Sequence, residues 1–374
     1  MYVIAHNGAR IWGGAERATA LILAGLQHRG HRVLLLCNAP LVADRARALR
    51  VPAELQPLGG DVAVHHAVAL ARRLRRERPD ALLVGTFKKL WLAAPAARLA
   101  GVPRVVARIG LETDTPRSAK YRFVLGRWVD AVAVNAGHMA PPFLALPGWT
   151  PERVVTIHNG IQPSRRRLPA GAVRAALGLA PDTPVIGTVA RLARQKRLDR
   201  LLRVLAALPA RVHAVVAGEG EERAALTRLA GELGVGRRVH FLGHRDDVAD
   251  VLGALDVYLV TSDREGMSNA MVEALAAGVP VVSTPVSGAA EALDPLGDGT
   301  APGVVATFEV ERLAAAVSRL LVDPALRHGM AAAARARAAE RFSYERMIDR
   351  WEDLLAPARP SAREALRELE PSAW

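Results

Sequence analysis

A chain of 374 residues, 51% of them hydrophobic, is long for one domain and suits two, each with its own core. No apolar run approaches the ~18 residues of a membrane-crossing helix, and the single cysteine, Cys37, excludes an internal disulfide and suits a reducing compartment. The formal net charge of +13 lies almost wholly in residues 1–164, where 22 Lys and Arg face 10 Asp and Glu, against 28 and 27 in the remainder; such an excess admits nucleic acid, an anionic membrane or an acidic acceptor as partner of the first half.

In chain order, Tyr2 to Ala5 reads as a first strand, and Met1-Tyr2-Val3-Ile4 shows no basic-then-apolar leader. The loop that follows holds Gly13-Gly14, and Ala15 to Arg29 reads as a helix with Leu21, Ile22 and Leu26 on one face. A glycine pair lets backbone approach a ligand ahead of a helix N-terminus that favours anions; a simple turn is the alternative. Arg32 to Cys37 is a second strand, with Cys37 a small buried hydrophobe. Asp61 to Arg78 reads as a helix with Val64, Val68, Leu70 and Leu74 inward. Arg72, Arg73, Arg75, Arg76 and Arg78 crowd its C-terminal end, where the helix dipole is negative.

Asp80 to Val84 is a strand, and Phe87-Lys88-Lys89 sits just past its carboxyl end, a ligand-facing place in an α/β sheet. Arg104 to Ala107 is the next, with Arg108 at its tip. Pro116 to Trp128, PRSAKYRFVLGRW, mixes Arg117, Lys120, Arg122 and Arg127 with Tyr121, Phe123 and Trp128. Basic and aromatic residues on a short helix suit a membrane surface, while Val124 and Leu125 call for packing on the sheet. Val132 to Asn135 and Val154 to Ile157 complete the strands of this half, and Arg165-Arg166-Arg167 fall in a polar linker.

The second half opens its sheet at Val185 to Val189. Arg191 and Lys196 share the strand-end loop that follows, before a helix over Leu198 to Leu208. Arg forks around phosphate oxygens and Lys acts as a point charge. His213 to Ala217, Val239 to Gly243 and Val257 to Val260 are further strands; His244 follows the second, and Asp246 and Asp247 read as caps of the next helix. Ser262 to Pro280 then forms loop, helix and the start of another strand, a βαβ unit whose helix ends at Gly278. Glu265 and Glu273 stand eight residues apart in it, which on continuous helix is a rise of about 12 Å. The free N–H groups near Met267, Ser268 and Asn269 would face whatever anion or hydroxyls lie between. Glu291, after the turn Pro285 to Ala290, caps or orients, and Ser343 to Leu355 reads as the last helix. No Asp-x-Asp pair stands at a strand end, so no metal site is expected.

Several of these stretches together carry a resemblance. Glu265, seven residues and Glu273, set in EGMSNAMVEALAAGVPVV, resemble the signature of retaining GT-B glycosyltransferases of family four, the glycosyl transferases group 1. WGGAER resembles the family's N-domain loop, GTVARLARQKR its diphosphate-binding Arg and Lys, and His158-Asn159-Gly160-Ile161 its hinge. The likeness covers nearly the whole chain, strongest from Val185 to Glu291 and thinner from Phe87 to Trp128. It implies an α/β, GT-B fold of two Rossmann-like, doubly wound domains facing a cleft. Residues 1–160 would be the acceptor side and 161–342 the nucleotide-sugar side, with a helix at about 343–357 crossing back and 358–374 unplaced.

The resemblance also implies the chemistry. A sugar would pass with retention from a nucleoside diphosphate donor, UDP foremost, to a lipid-linked or cell-envelope glycan, as in polysaccharide or lipopolysaccharide biosynthesis. The protein would be cytoplasmic, with peripheral contact at the inner face of an anionic membrane. Arg191, Lys196, Gly13 and Gly14 would meet the diphosphate, Glu273 the ribose, and Glu265 with Gly266, Met267, Ser268 and Asn269 the sugar. Gly243 and His244 would touch the nucleobase, and Lys88, Lys89 and Arg108 the acceptor, where many relatives carry a His near Arg108. The leaving phosphate would accept the acceptor's proton, with no protein nucleophile, no metal and no further cofactor. The alternatives are a nucleotide-sugar epimerase of the same architecture, which needs extra acids and a His near C2 of the sugar, and a transferase to a soluble small-molecule acceptor. A nucleic-acid binder is disfavoured, since the basic residues are scattered through α/β elements without a recognised motif.

Overall fold

The computed structural model describes residues 1–60, 63–161, 168, 169 and 171–357. Two sheets, every pairing in them parallel, organise the chain. The first contains β1 (Tyr2–Asn7), β2 (Arg32–Cys37), β3 (Ala53–Leu55), β4 (Ala81–Val84), β5 (Arg104–Ile109), β6 (Ala131–Val134) and β7 (Val154–Thr156), in the order β3-β2-β1-β4-β5-β6-β7. The second contains β8 (Val185–Val189), β9 (His213–Ala217), β10 (Val239–Gly243), β11 (Val257–Val260), β12 (Val281–Ser283) and β13 (Gly303–Val305), in the order β10-β9-β8-β11-β12-β13. Strands such as YVIAHN and ALLV are buried at every position, because helices cover both faces of a parallel sheet and leave no face to solvent. This is the GT-B arrangement of two doubly wound domains. In each sheet the order reverses at one place, between β1 and β4 and between β8 and β11. Those are the crevices where α/β sheets take ligands.

Several elements depart from the sequence reading. The helix expected over 61–78 runs Val64–Glu77, and Asp61 lies outside the described residues. Leu70 and Leu74 are buried as expected, but Val64 and Val68 are 63% and 43% exposed. At 3.6 residues per turn, Val68 points about 200° away from Leu70, so the two cannot share a face; Ala67 and Ala71 complete the inner stripe instead. β5 continues to Ile109, which puts Arg108 inside the strand and not at its tip. The helices Pro40–Ala48 and Leu90–Leu99 and the strand β3 were not anticipated; the second helix contains Pro95, ordinarily a breaker. Arg165-Arg166-Arg167 and the tail 358–374 lie outside the described residues.

The last helix, Tyr344–Leu355, crosses back as expected. Its N-cap Ser343 accepts a bond from Arg346 N. Ile348, Trp351 and Leu355 join Ile22, Leu26 and Val106 in one buried cluster on the first sheet. Tyr344 Oη donates to Leu21 O at 2.7 Å, and Arg29 is ringed by Glu345, Asp349 and Glu352. At the crossover a Cβ on Gly160 would lie 2.7 Å from Tyr344 Cα, so only glycine lets these backbones pass. Among the described residues no helix is long and apolar enough to cross a membrane.

Candidate active site

Both switch-point crevices open toward each other, and the loops that fill them carry the expected residues. After β8 the chain makes a tight turn at Arg194–Lys196 and leaves it through Arg197 at φ 50, a left-handed conformation uncommon for arginine. Hydrogen bonds hold this loop against the one after β11. Thr261 Oγ1 donates to Lys196 O at 2.9 Å, Asp263 N to Gln195 O at 3.0 Å, and Arg197 forks between Asp199 and Asp263. Buried Arg200 braces the same Asp263 and donates to Thr261 O at 2.5 Å. The hydrogen bonds it donates to Asp199 first, and then to Asp263, hold the Arg197 guanidinium well above its ordinary pKa despite its burial.

That bracing sets one polar pair at the base of the crevice. Lys196 Nζ pairs with Glu265 Oε1, and Ser262 Oγ donates to the same oxygen at 2.7 Å. Glu265 is buried and Arg191 is exposed at the far end of the loop. The helix of the signature begins only at Asn269, with Ser268 as N-cap accepting from Met271 N. Glu265 therefore sits in the preceding loop, and a helical rise of about 12 Å does not describe its separation from Glu273. The helix ends at Gly278, φ 73, as the sequence indicated.

Across the cleft the two domains touch. A Cβ on Gly266 would lie 2.4 Å from Gly110 O and 2.6 Å from Asn135 Oδ1, so the signature loop meets the first domain backbone to backbone. Arg17, on the first helix Gly14–His28, pairs with Glu273 at 2.5 Å. Asn269 Nδ2 donates to Gly14 O at 3.1 Å, and Asn159 Nδ2 to Asn269 Oδ1 at 2.6 Å. Ser287 Oγ donates to Glu112 Oε2. Glu291 both orients and caps: its carboxylate accepts from His158 Nε2 at 2.7 Å and, at the start of the short turn Gly137–Met139, from His138 N at 3.2 Å. Burial would raise the Glu291 pKa, but those bonds outweigh it and hold the carboxyl below the usual range.

The remaining candidates are dispersed. Gly13 N is tied to Glu16 Oε2 at 3.0 Å, which fixes the glycine loop on its helix. Lys88 is exposed past β4, whereas Lys89 Nζ donates to Gly59 O at 2.6 Å. Arg108 is buried between Asn159 and the first helix. Gly243, φ 68, accepts from Gly218 N at 2.7 Å, and His244 turns outward to Asp246. Neither expected cap acts as one. Asp247 occupies the position before the helix Val248–Leu252, but Arg245 draws its carboxylate away at 2.7 Å, and Asp246 is taken by His244. Arg17, Asn135, Ser262 and Asp263 were not singled out from sequence. Among the described residues no group of three or more His, Cys, Asp or Glu is arranged to hold a metal ion.

Comparison with known proteins identifies the family and matches the fold. The sequence model of Glycosyl transferases group 1 matches residues 171–337, and that of Glycosyltransferase Family 4 matches residues 12–165. The lipopolysaccharide core biosynthesis glycosyltransferase LpsE of Rhizobium meliloti (strain 1021) is 32% identical over 287 residues, 75% of this chain and 77% of that protein. The D-inositol 3-phosphate glycosyltransferase of Mycobacterium marinum is 32% identical over 266 residues, 66% of this chain, which spans about half (55%) of that relative's length. Anabaena Alr3699/HepE in complex with UDP superposes with a TM-score of 0.83 at 23% identity, covering 95% of this chain and 99% of that one. WaaG, a glycosyltransferase involved in lipopolysaccharide biosynthesis, does so with 0.72 at 20% identity, covering 95% and 99%. The chain belongs to the glycosyl transferases group 1 and is a glycosyltransferase of GT-B fold.

Proposed function

We propose that this glycosyltransferase moves a sugar from a UDP-sugar, with retention, to a lipid-linked or cell-envelope glycan, and that Gly160 divides the acceptor side from the donor side. The observation that carries the reading is the meeting of three switch-point loops in one cleft: Gly13-Gly14, Lys196 and the Glu265 loop. LpsE is named for lipopolysaccharide core biosynthesis, and structures of Alr3699/HepE hold UDP and UDP-glucose. In this reading Arg191 and Lys196 take the charge that grows on the leaving diphosphate. Glu265, engaged by Lys196 and Ser262, orients the sugar and is not a nucleophile. The leaving phosphate accepts the acceptor's proton. No divalent metal takes part, so turnover should survive chelation; loss of activity with EDTA and rescue by Mg²⁺ would overturn this point.

Glu273 would hold the ribose hydroxyls once Arg17 is displaced. Glu273→Ala should weaken UDP binding by about 2 kcal/mol in calorimetry, since the hydroxyls lose a charged acceptor. Unchanged affinity would remove the ribose assignment.

The acceptor side carries the membrane reading. On the helix Ala119–Trp128, Val124 and Leu125 are buried while Arg122, Phe123 and Arg127 face out. Phe123 and Leu99 are 56% and 69% exposed, and Trp128 bridges them, edge-on to Phe123 and sharing a surface pocket with Leu99. Basic residues beside an anionic leaflet contribute about 1 kcal/mol each, and inserted rings add a hydrophobic contribution. The protein should sediment with anionic vesicles, less so as salt rises, and less again when Arg117, Arg122 and Arg127 become Gln. Equal sedimentation with neutral vesicles, or none with either, would reject the contact.

A further inference from the structure

Arg108 is only 4% exposed, and among the described residues no carboxylate hydrogen-bonds it. Its Nη2 donates to Asn159 Oδ1 at 3.0 Å and its Nη1 reaches Ala15 O at 3.5 Å. Burial lowers its pKa to about 10, which leaves it charged at neutral pH. A buried cation whose hydrogen-bond acceptors are both neutral is expensive to keep, and the charge of Glu16 offsets part of that cost.

The chain of bonds beyond it has a fixed direction. A guanidinium can only donate, so Asn159 must turn its oxygen to Arg108. Its Nδ2 is then free for Asn269 alone among these partners at 2.6 Å, with a longer contact of 3.5 Å to Met267 O. Asn269, having offered its oxygen, must turn its own Nδ2 to Gly14 O, where it lies at 3.1 Å. One donor-only group at the start thus sets every amide along a path from β5 through the hinge to the first residue of the signature helix and the glycine loop. The path crosses between the domains at Asn159–Asn269 and again at Asn269–Gly14.

We propose that Arg108 is a positioning residue of the donor site: through Asn159 and Asn269 it holds the glycine loop against the signature helix and keeps the two domains closed. Donor binding at this place rests on the reading given under Proposed function; the closure does not. Arg108 then acts on the donor and makes no contact with the acceptor.

Asn159→Asp tests the polarity directly. The variant keeps an oxygen for Arg108 and gives the cation a carboxylate partner, so its melting temperature should not fall. It cannot donate to Asn269: either that bond is lost, or Asn269 turns its amide over to donate to the new carboxylate and loses Gly14 O, so the relay breaks in both cases. UDP affinity by calorimetry should fall about tenfold, the effect of one well-placed hydrogen bond, with acceptor KM unchanged. Small-angle scattering of the ligand-free protein should show a larger radius of gyration than wild type. Asn269→Ala, at a partly exposed position, should reproduce both effects if Asn159→Asp folds poorly, and Arg108→Lys, still donor-only, should lose less than Arg108→Gln. Wild-type UDP affinity and wild-type scattering in a folded Asn159→Asp protein would overturn the proposal. So would a raised acceptor KM with donor affinity intact. If wild-type protein binds no UDP, the donor reading fails, and the scattering comparison still decides the relay.

Discussion

Lys196→Ala is expected to lower turnover by a factor of about 100 or more, because the leaving diphosphate loses the cation that meets its growing charge. The residue does more than supply charge. Its ammonium is the ion-pair partner of buried Glu265, so its removal leaves a carboxylate in a poor solvent, with a stability loss of roughly 1–3 kcal/mol. The two effects separate in the double variant Lys196→Ala, Glu265→Gln. The amide needs no cation, so stability should largely return while turnover stays low. Normal turnover in a folded Lys196→Ala protein would reject the leaving-group role. Turnover restored in the double variant would show that Lys196 served only to neutralise Glu265.

Trp351→Ala is expected to destabilise the protein by about 3–5 kcal/mol, the range for emptying a buried aromatic site. Trp351 is among the largest fully buried side chains and stands in the core that the last helix shares with the first sheet. The denaturation midpoint should fall sharply, and unfolding should split into two steps as the first domain melts ahead of the second. Chemical denaturation followed by far-UV circular dichroism reads both. A midpoint within experimental error of wild type would mean that the crossing helix is an accessory to the first domain and no part of its core.

Much of this was legible before any coordinates. The strands centre on apolar runs because a parallel sheet is buried on both faces, and such runs with glycine-bearing ends are visible in a single sequence. The loops after β1, β8 and β11 were legible for the same reason: each follows such a run, and a switch point needs them there. What remained hidden is whatever depends on a partner far along the chain. Arg17 meets Glu273 across 256 positions and Glu291 meets His158 across 133, and no local spacing announces either. Asp247 failed as a cap for a local reason: Arg245, two residues earlier, competes for its carboxylate. The helix with Val64 and Val68 was misread because its many arginines leave few apolar residues to define a face, and alanines supplied the rest. Arg108 looked like a strand-tip residue because the apolar run before it stops; the strand carries on through a charged residue whose charge is used inside.

The crossing helix also fixes an order of events during synthesis. The strands of the first sheet have all left the ribosome by Thr156, yet the helix that covers Ile22, Leu26 and Val106 starts at Tyr344. At about 5–20 residues per second the interval lasts on the order of 10 s or more. Throughout it the nascent first domain presents a bare apolar face, while the second domain, continuous from β8 to β13, can complete its sheet. The half made first therefore matures last, and a chaperone that shields apolar surface would be needed on the N-terminal half and could leave only when the final helix emerges.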